Sequence, residues 1–136
     1  MSKSLAIIQL KKIDTPKFVM SPVELKDYID FNVKRVYFIT KPKAPTGAHC
    51  HKVEEEFFIL IQGTATAVID KGQGLEEISL TAPTSGLYVP NYAWHHFKDF
   101  SPDAILLALS STNYNPDRSD YIEDYEEFKK ESPYYK

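Results

Sequence analysis

The chain has 136 residues, of which 43% are hydrophobic and 26% charged; this composition excludes a disordered chain and predicts a single domain over residues 1–136. Sixteen basic residues against nineteen acidic ones leave a net charge of −3, a poor balance for gripping nucleic acid or an anionic membrane. The single cysteine, Cys50, excludes an intrachain disulfide; with no apolar run of roughly 18 residues and no secretory signal core, a cytoplasmic protein is expected.

Residues 5–10 form the first candidate strand. Residues 14–30 are mixed, and Pro16 and Pro22 bar a long helix. Residues 33–39 read as a clear strand, whose alternation puts Arg35 and Tyr37 on one face. Residues 41–47 carry Pro42, Pro45 and Gly47 and form a loop. Strands then follow closely at 57–62, 64–69, 76–81, 86–89, 94–97 and 104–110, with Gly63 and Pro90 as stops and 70–74 as a turn. Short strands at this spacing predict an all-β sandwich or barrel. The tail changes period: Ile122, Tyr125 and Phe128 recur at helical spacing, predicting one amphipathic helix over 120–130 with Ser119 as its cap.

All four histidines fall in two places, His49-Cys50-His51 and His95-His96. Residues i and i+2 of a strand share a face, so His49 and His51 point into one cavity, while Cys50 and His96 point away from their neighbours' side. Glu56 follows His51 by five residues and Gly63 follows Glu56 by seven; Pro90 precedes His95 by five. This spacing resembles the two sequence motifs of the cupin family, although Tyr92 stands where the second motif usually has a central glycine. The resemblance implies a small jelly-roll barrel with the pocket inside. His49, His51, Glu56 and His95 also make a complete nitrogen and oxygen ligand set for Fe, Mn, Ni or Zn. The run Glu54-Glu55-Glu56 reads equally as a solvated strand edge.

A closer resemblance covers residues 5–128. The stretches 33–39, Gly47-Ala48-His49-Cys50-His51-Lys52, Gly86-Leu87-Tyr88-Val89, Trp94-His95, 106–111 and 120–125 look like those of bacterial nucleotide-sugar 3,4-ketoisomerases, small cupins acting on dTDP-4-keto-6-deoxyglucose. Three positions depart from that family's usual pattern. Lys17-Phe18-Val19-Met20 replaces an Arg-Gly-Ser-Leu stretch, Thr46 replaces an arginine, and Glu56 stands where glutamine is frequent.

The resemblance implies movement of a ketone from C4 to C3 of the hexose by proton transfer, without metal or cofactor, ahead of amination and acetylation at C3. Histidine suits such work because its reference pKa of about 6.5 lets it take and give protons near neutrality. The implied roles are His51 as base at C3, His49 as its proton partner and Tyr37 as hydrogen-bond donor to the sugar oxygen. His95 would orient the pair or touch substrate, with Glu56 and Trp94 as further substrate contacts. Arg35 and Lys17 would hold the diphosphate, although lysine lacks arginine's bidentate fork. A homodimer with strands exchanged or shared between subunits is implied, with no nucleic-acid or membrane partner. The C4 configuration of the product stays open. Two other readings stand beside this one: a metal-dependent cupin enzyme using His49, His51, Glu56 and His95, and a non-catalytic sugar-binding cupin.

Overall fold

The computed structural model describes residues 4–136. The chain runs through β1 (Ala6–Gln9), β2 (Ile13–Asp14), β3 (Val19–Met20), a 3-10 turn at Leu25–Asp27, β4 (Arg35–Ile39), β5 (Cys50–His51), β6 (Glu56–Gln62), β7 (Thr64–Asp70), β8 (Glu76–Thr81), β9 (Ser85–Val89), β10 (Trp94–Lys98), β11 (Ile105–Ser110), β12 (Tyr121–Ile122) and helix α1 (Tyr125–Glu131). The expected all-β, cupin-type barrel with a short C-terminal helix is what the chain forms.

Two antiparallel sheets make the barrel. The larger has strand order β1-β9-β6-β11-β4 and the smaller β10-β7-β8. Between them lie Phe58, Leu60, Leu87, Val89, Leu106 and Ala108 of the large sheet, facing Ala65, Ala67, Ile69, Leu80 and Phe97 of the small one. The alternate residues Phe57, Ile59, Tyr88 and Leu109 point outward and are covered by Leu10, Ile29 and the segment around Val23–Val33. Burial on both faces explains why β6 and β11 read as continuous apolar runs instead of alternating ones.

Two backbone positions shape the turns of the barrel, one at each end. Gly63 turns β6 into β7 with φ +83°, and a Cβ there would sit 2.9 Å from the Ala104 Cα; only glycine fits without displacing backbone. Tyr92 occupies the left-handed region, φ 62°. The glycine usual at this position has been replaced, yet its backbone turn is retained. That turn brings the Tyr92 N–H within 2.6 Å of the His51 carbonyl oxygen.

The tail departs from expectation. Residues 120–124 are not helical: Tyr121 and Ile122 pair with His51 and Cys50 as an extra two-stranded ladder. The helix starts at Tyr125, capped by Asp124, whose carboxylate accepts from the Glu127 N–H at 2.9 Å. Ladder bonds to β5 and the burial of Ile122 hold this stretch extended. Glu126 and Glu127 in the first turn and Lys129 and Lys130 in the last suit the helix dipole. Phe128, fully buried, anchors the helix on Trp94, Cys50 and Ile122. Among the described residues, no helix is long and apolar enough to cross a membrane.

Candidate active site

The histidines converge at one end of the barrel. His49 and His95 form an antiparallel bridge, with backbone bonds of 2.9 and 3.2 Å in the two directions. Their ring centroids lie 4.7 Å apart, and His49 and His51 are separated by the same distance. Cys50, between the two histidines, turns to the opposite side and is sealed under α1. Burial pushes its thiol up to about 12, which leaves it protonated and inert as a nucleophile.

Hydrogen bonds and neighbouring charges together assign the protons of His49 and His51. A carbonyl only accepts, so His49 Nδ1, 2.9 Å from the Gly47 oxygen, carries a proton. Its Nε2 is then a bare lone pair in the neutral ring. His51 Nδ1 lies 3.0 Å from the Asp120 carboxylate, another pure acceptor, and carries a proton as well. His51 Nε2 lies 3.0 Å from His49 Nε2, so one of the two rings holds a second proton; the carboxylates of Glu54, Glu56 and Asp120 around His51 put it there. His51 is therefore an imidazolium, and His49 a neutral imidazole.

The electrostatics agree. Burial is the main influence on His49 and, with the charges of His95 and His51, lowers its pKa to about 4. Burial alone would lower His51 too. The hydrogen bonds and charges of Glu54 and Glu56 outweigh it and raise His51 to about 9. Glu54 Oε2 is 3.0 Å from His51 Nε2, and Glu56 Oε1 is 3.4 Å from it.

Both glutamates are buried, at 4% and 1% exposure, so the solvated-edge reading of 54–56 does not hold. Glu54 Oε1 accepts from Arg35 Nη2 at 2.8 Å and from the Ser110 and Thr112 hydroxyls, each at 2.7 Å. Glu56 Oε2 accepts from the Tyr37 hydroxyl. Burial opposes ionisation of Glu56, but the bonds and charges of His51 and His95 hold its carboxyl well below the usual range. His95 Nδ1 donates to the Ala93 carbonyl at 3.0 Å, and its Nε2 lies 3.4 Å from Glu56 Oε1.

The structure thus brings together six of the expected residues, His49, His51, His95, Glu56, Tyr37 and Arg35, and corrects several roles. Glu56 stands behind the histidines and lines neither of the spaces beside them. Tyr37 spends its one donor on Glu56, so its hydroxyl has only lone pairs left for a sugar oxygen. Burial and the Glu56 charge push that hydroxyl well above the usual phenol range. Trp94 faces away from His95: its ring packs on Phe128 and Tyr125, with centroids 5.4 Å away in each case, so it is not a wall of the site. Lys17 lies exposed on the β2–β3 hairpin, whose strands, among the described residues, pair only with each other; this chain does not bring it to its own histidines. Thr46, in place of the arginine, accepts from the Phe97 N–H at 2.9 Å.

Glu54, Asp120 and Tyr121 were missed. For Glu54 a signal existed, because it alternates onto the same side as Glu56. Asp120 and Tyr121 had none, since their stretch was read as helix. Two spaces adjoin the cluster. A small cavity of about 70 Å³ is lined by Tyr37, His49, His95, Thr46 and Phe58. A cleft of about 330 Å³ runs past Glu54, Tyr114, Asp120 and Tyr121.

Residues 3–132 match the FdtA family, described as WxcM-like, C-terminal. A TDP-4-oxo-6-deoxy-alpha-D-glucose-3,4-oxoisomerase from Aneurinibacillus thermoaerophilus is 38% identical over 126 residues, covering 91% of this chain and 89% of the relative. Among solved structures, the WlaRB TDP-quinovose 3,4-ketoisomerase from Campylobacter jejuni is 33% identical with a TM-score of 0.82, over 93% of this chain and 98% of that one. A histidine-to-asparagine mutant of the 3,4-ketoisomerase QdtA from Thermoanaerobacterium thermosaccharolyticum, in complex with TDP-4-keto-6-deoxyglucose, is 30% identical with a TM-score of 0.84, over 97% and 96%.

Proposed function

This chain belongs to the FdtA family, and we propose that it is the isomerase that converts TDP-4-keto-6-deoxyglucose to a TDP-3-keto-6-deoxyhexose through an enediolate. The observation that carries the reading is the 3.0 Å contact between His49 Nε2 and His51 Nε2, which the charges around His51 make a base beside an acid.

The reaction needs a base, an acid and stabilisation of an oxyanion, and no net redox change. His49 Nε2 takes the proton from C3, which the neighbouring C4 carbonyl makes acidic. The C3–H electron pair becomes the C3–C4 double bond, and negative charge collects on the C4 oxygen. The His51 imidazolium faces that charge and protonates it; a buried, preorganised cation is worth far more there than in water. The proton taken from C3 exchanges with solvent on the histidine pair, His49 then delivers a proton to C4, and the C3 hydroxyl gives its own proton to the neutral His51 as it becomes the ketone. Acid and base thus stand in the reverse order to that which the family resemblance implies, because Asp120 and the two glutamates keep the proton on His51 while Gly47 directs the lone pair of His49. Arg35 and Glu54 wall the site, and the cleft beside Tyr114 and Tyr121 gives room for the nucleotide end of the substrate.

The product's 3-keto group prepares C3 for amination, which fits the biosynthesis of 3-amino-3,6-dideoxy sugars. A homodimer is part of this reading. Edge strand β4 exposes Val36 and Phe38, at 54% and 67%, and the separate two-stranded β2–β3 hairpin exposes Phe18, Val19 and Met20; open edges with apolar side chains call for a partner. Light scattering should give twice the chain mass, and a monomer would refute it. A cytoplasmic location suits the single buried thiol.

The test of the activity is proton NMR of chelator-treated protein with TDP-4-keto-6-deoxyglucose in D2O. The 3-keto sugar should appear with deuterium at C4, and the C4 coupling constant gives the configuration. Folded protein that leaves the sugar unchanged would overturn the reading.

A further inference from the structure

Asp120 reaches the site from the C-terminal tail, 69 residues beyond His51 in sequence, and its Oδ2 lies 3.0 Å from His51 Nδ1. We propose that Asp120 is a positioning residue of the isomerisation, holding the His51 ring in the orientation and protonation pattern that aims Nε2–H at His49. The inference rests on the function proposed above and concerns a residue outside the two histidine motifs.

Three observations support it. The carboxylate is itself immobilised: Oδ1 accepts from the Val53 N–H at 2.6 Å and Oδ2 from the Glu54 N–H at 3.3 Å, while the Lys52 N–H donates to the Asp120 carbonyl at 2.8 Å. It therefore presents a fixed acceptor and not a swinging one. Among the described residues Nδ1 has no rival partner of this kind, because Glu54, Glu56 and His49 all approach Nε2. The next residue completes the clamp. Tyr121 pairs with His51 in the ladder, and its ring meets the His51 ring edge-on at 4.4 Å; the Arg118 guanidinium lies over the Tyr121 ring, 3.9 Å from its centroid. An acceptor behind one imidazole nitrogen fixes which protons the ring carries at the other.

Without the carboxylate, His51 is free to rotate or to hold its single proton on Nε2 with Nδ1 bare. The ring would then oppose the enediolate without a full charge. A bond to backbone at Val53 and Glu54 also gives Asp120 a structural role, so the experiment must separate the two.

Asp120→Asn preserves shape and one acceptor oxygen. Its kcat should fall by about 10²- to 10⁴-fold with KM within about threefold, the upper bound being the loss when the carboxylate behind a catalytic histidine becomes an amide. Nitrogen-15 NMR of labelled, substrate-free protein should show protons on both His51 nitrogens in the native chain at neutral pH, and Nδ1 bare in the variant. A kcat within threefold of native, or a large loss with Nδ1 still protonated, would overturn the positioning role. A native His51 without an Nδ1 proton would do so even if the variant failed to fold. The NMR reading needs no substrate, so an inert native enzyme would count against the proposed function alone.

Discussion

His49 Nε2 and His51 Nε2 lie 3.0 Å apart, and the backbone carbonyl behind one ring and the carboxylate behind the other decide which of them holds the proton between them. The pair is poised for acid–base work across a wide pH range. The base must be neutral, which fails below about 4, where His49 protonates. The acid must be charged, which fails above about 9, where His51 loses its proton. A plot of kcat/KM against pH should therefore be flat between about 4 and about 9, falling tenfold per unit on either side. A rise through the 6–7 region, as for an ordinary histidine, would sink the assignment.

Glu56 sets the alkaline limb. It accepts from Tyr37 through Oε2 and lies 3.4 Å from both His51 and His95 through Oε1. Glutamine fills the same space and keeps the acceptor for Tyr37, yet it removes one of the charges that raise His51. The folded-state pKa of His51 must then fall. Glu56→Gln should stay folded and active at pH 7, with its alkaline limb moved at least one unit below about 9, equivalent to about 1.4 kcal/mol of lost interaction per unit. An unmoved limb would mean that Glu54 alone sustains the imidazolium.

Much of this was legible in the chain. The strands between residues 33 and 110 announce themselves because their side chains alternate or are buried on both faces. The histidine spacing marks the pocket because strand geometry forces i and i+2 to one side. What stayed hidden depends on contacts between distant residues. Nothing local in Ser119-Asp120-Tyr121 distinguishes a helix start from a two-residue strand; the pairing of Tyr121 with His51 decides it. Proton ownership also escaped, since it depends on Gly47 and Asp120 standing behind otherwise similar imidazoles. Trp94, expected as a substrate contact, lies on the face opposite His95, as strand alternation from His95 requires.

The cluster carries a further consequence for metals. One ligand atom from each of His49, His51, Glu56 and His95 lies within 4.8 Å of the others, which suits a borderline divalent ion. Such an ion needs the His49 lone pair and must displace the His51 Nε2 proton, the two features the isomerisation uses. Zn²⁺ should therefore inhibit, EDTA should restore the rate, and inhibition should weaken as pH falls because protons compete for the same atoms. Chelator-treated enzyme should keep full activity in steady-state assays. Loss of activity on chelation with recovery on added ion would establish the metal-dependent reading instead.

Trp94 offers a control on the geometry, because it neighbours His95 in sequence while its ring belongs to another cluster. That ring is 5% exposed and packs with Phe128, Tyr125, Cys50 and Ile122 beneath α1. Shrinking it removes apolar contact and leaves a partial cavity. Trp94→Phe should cost about 1–2 kcal/mol, less than the roughly 3–5 kcal/mol of a truncation to alanine, and lower Tm by several degrees. A substrate contact would instead appear in KM. In protein held well below its Tm, KM for the TDP-sugar should stay within twofold of native, and a tenfold rise in KM with Tm unchanged would return Trp94 to the pocket.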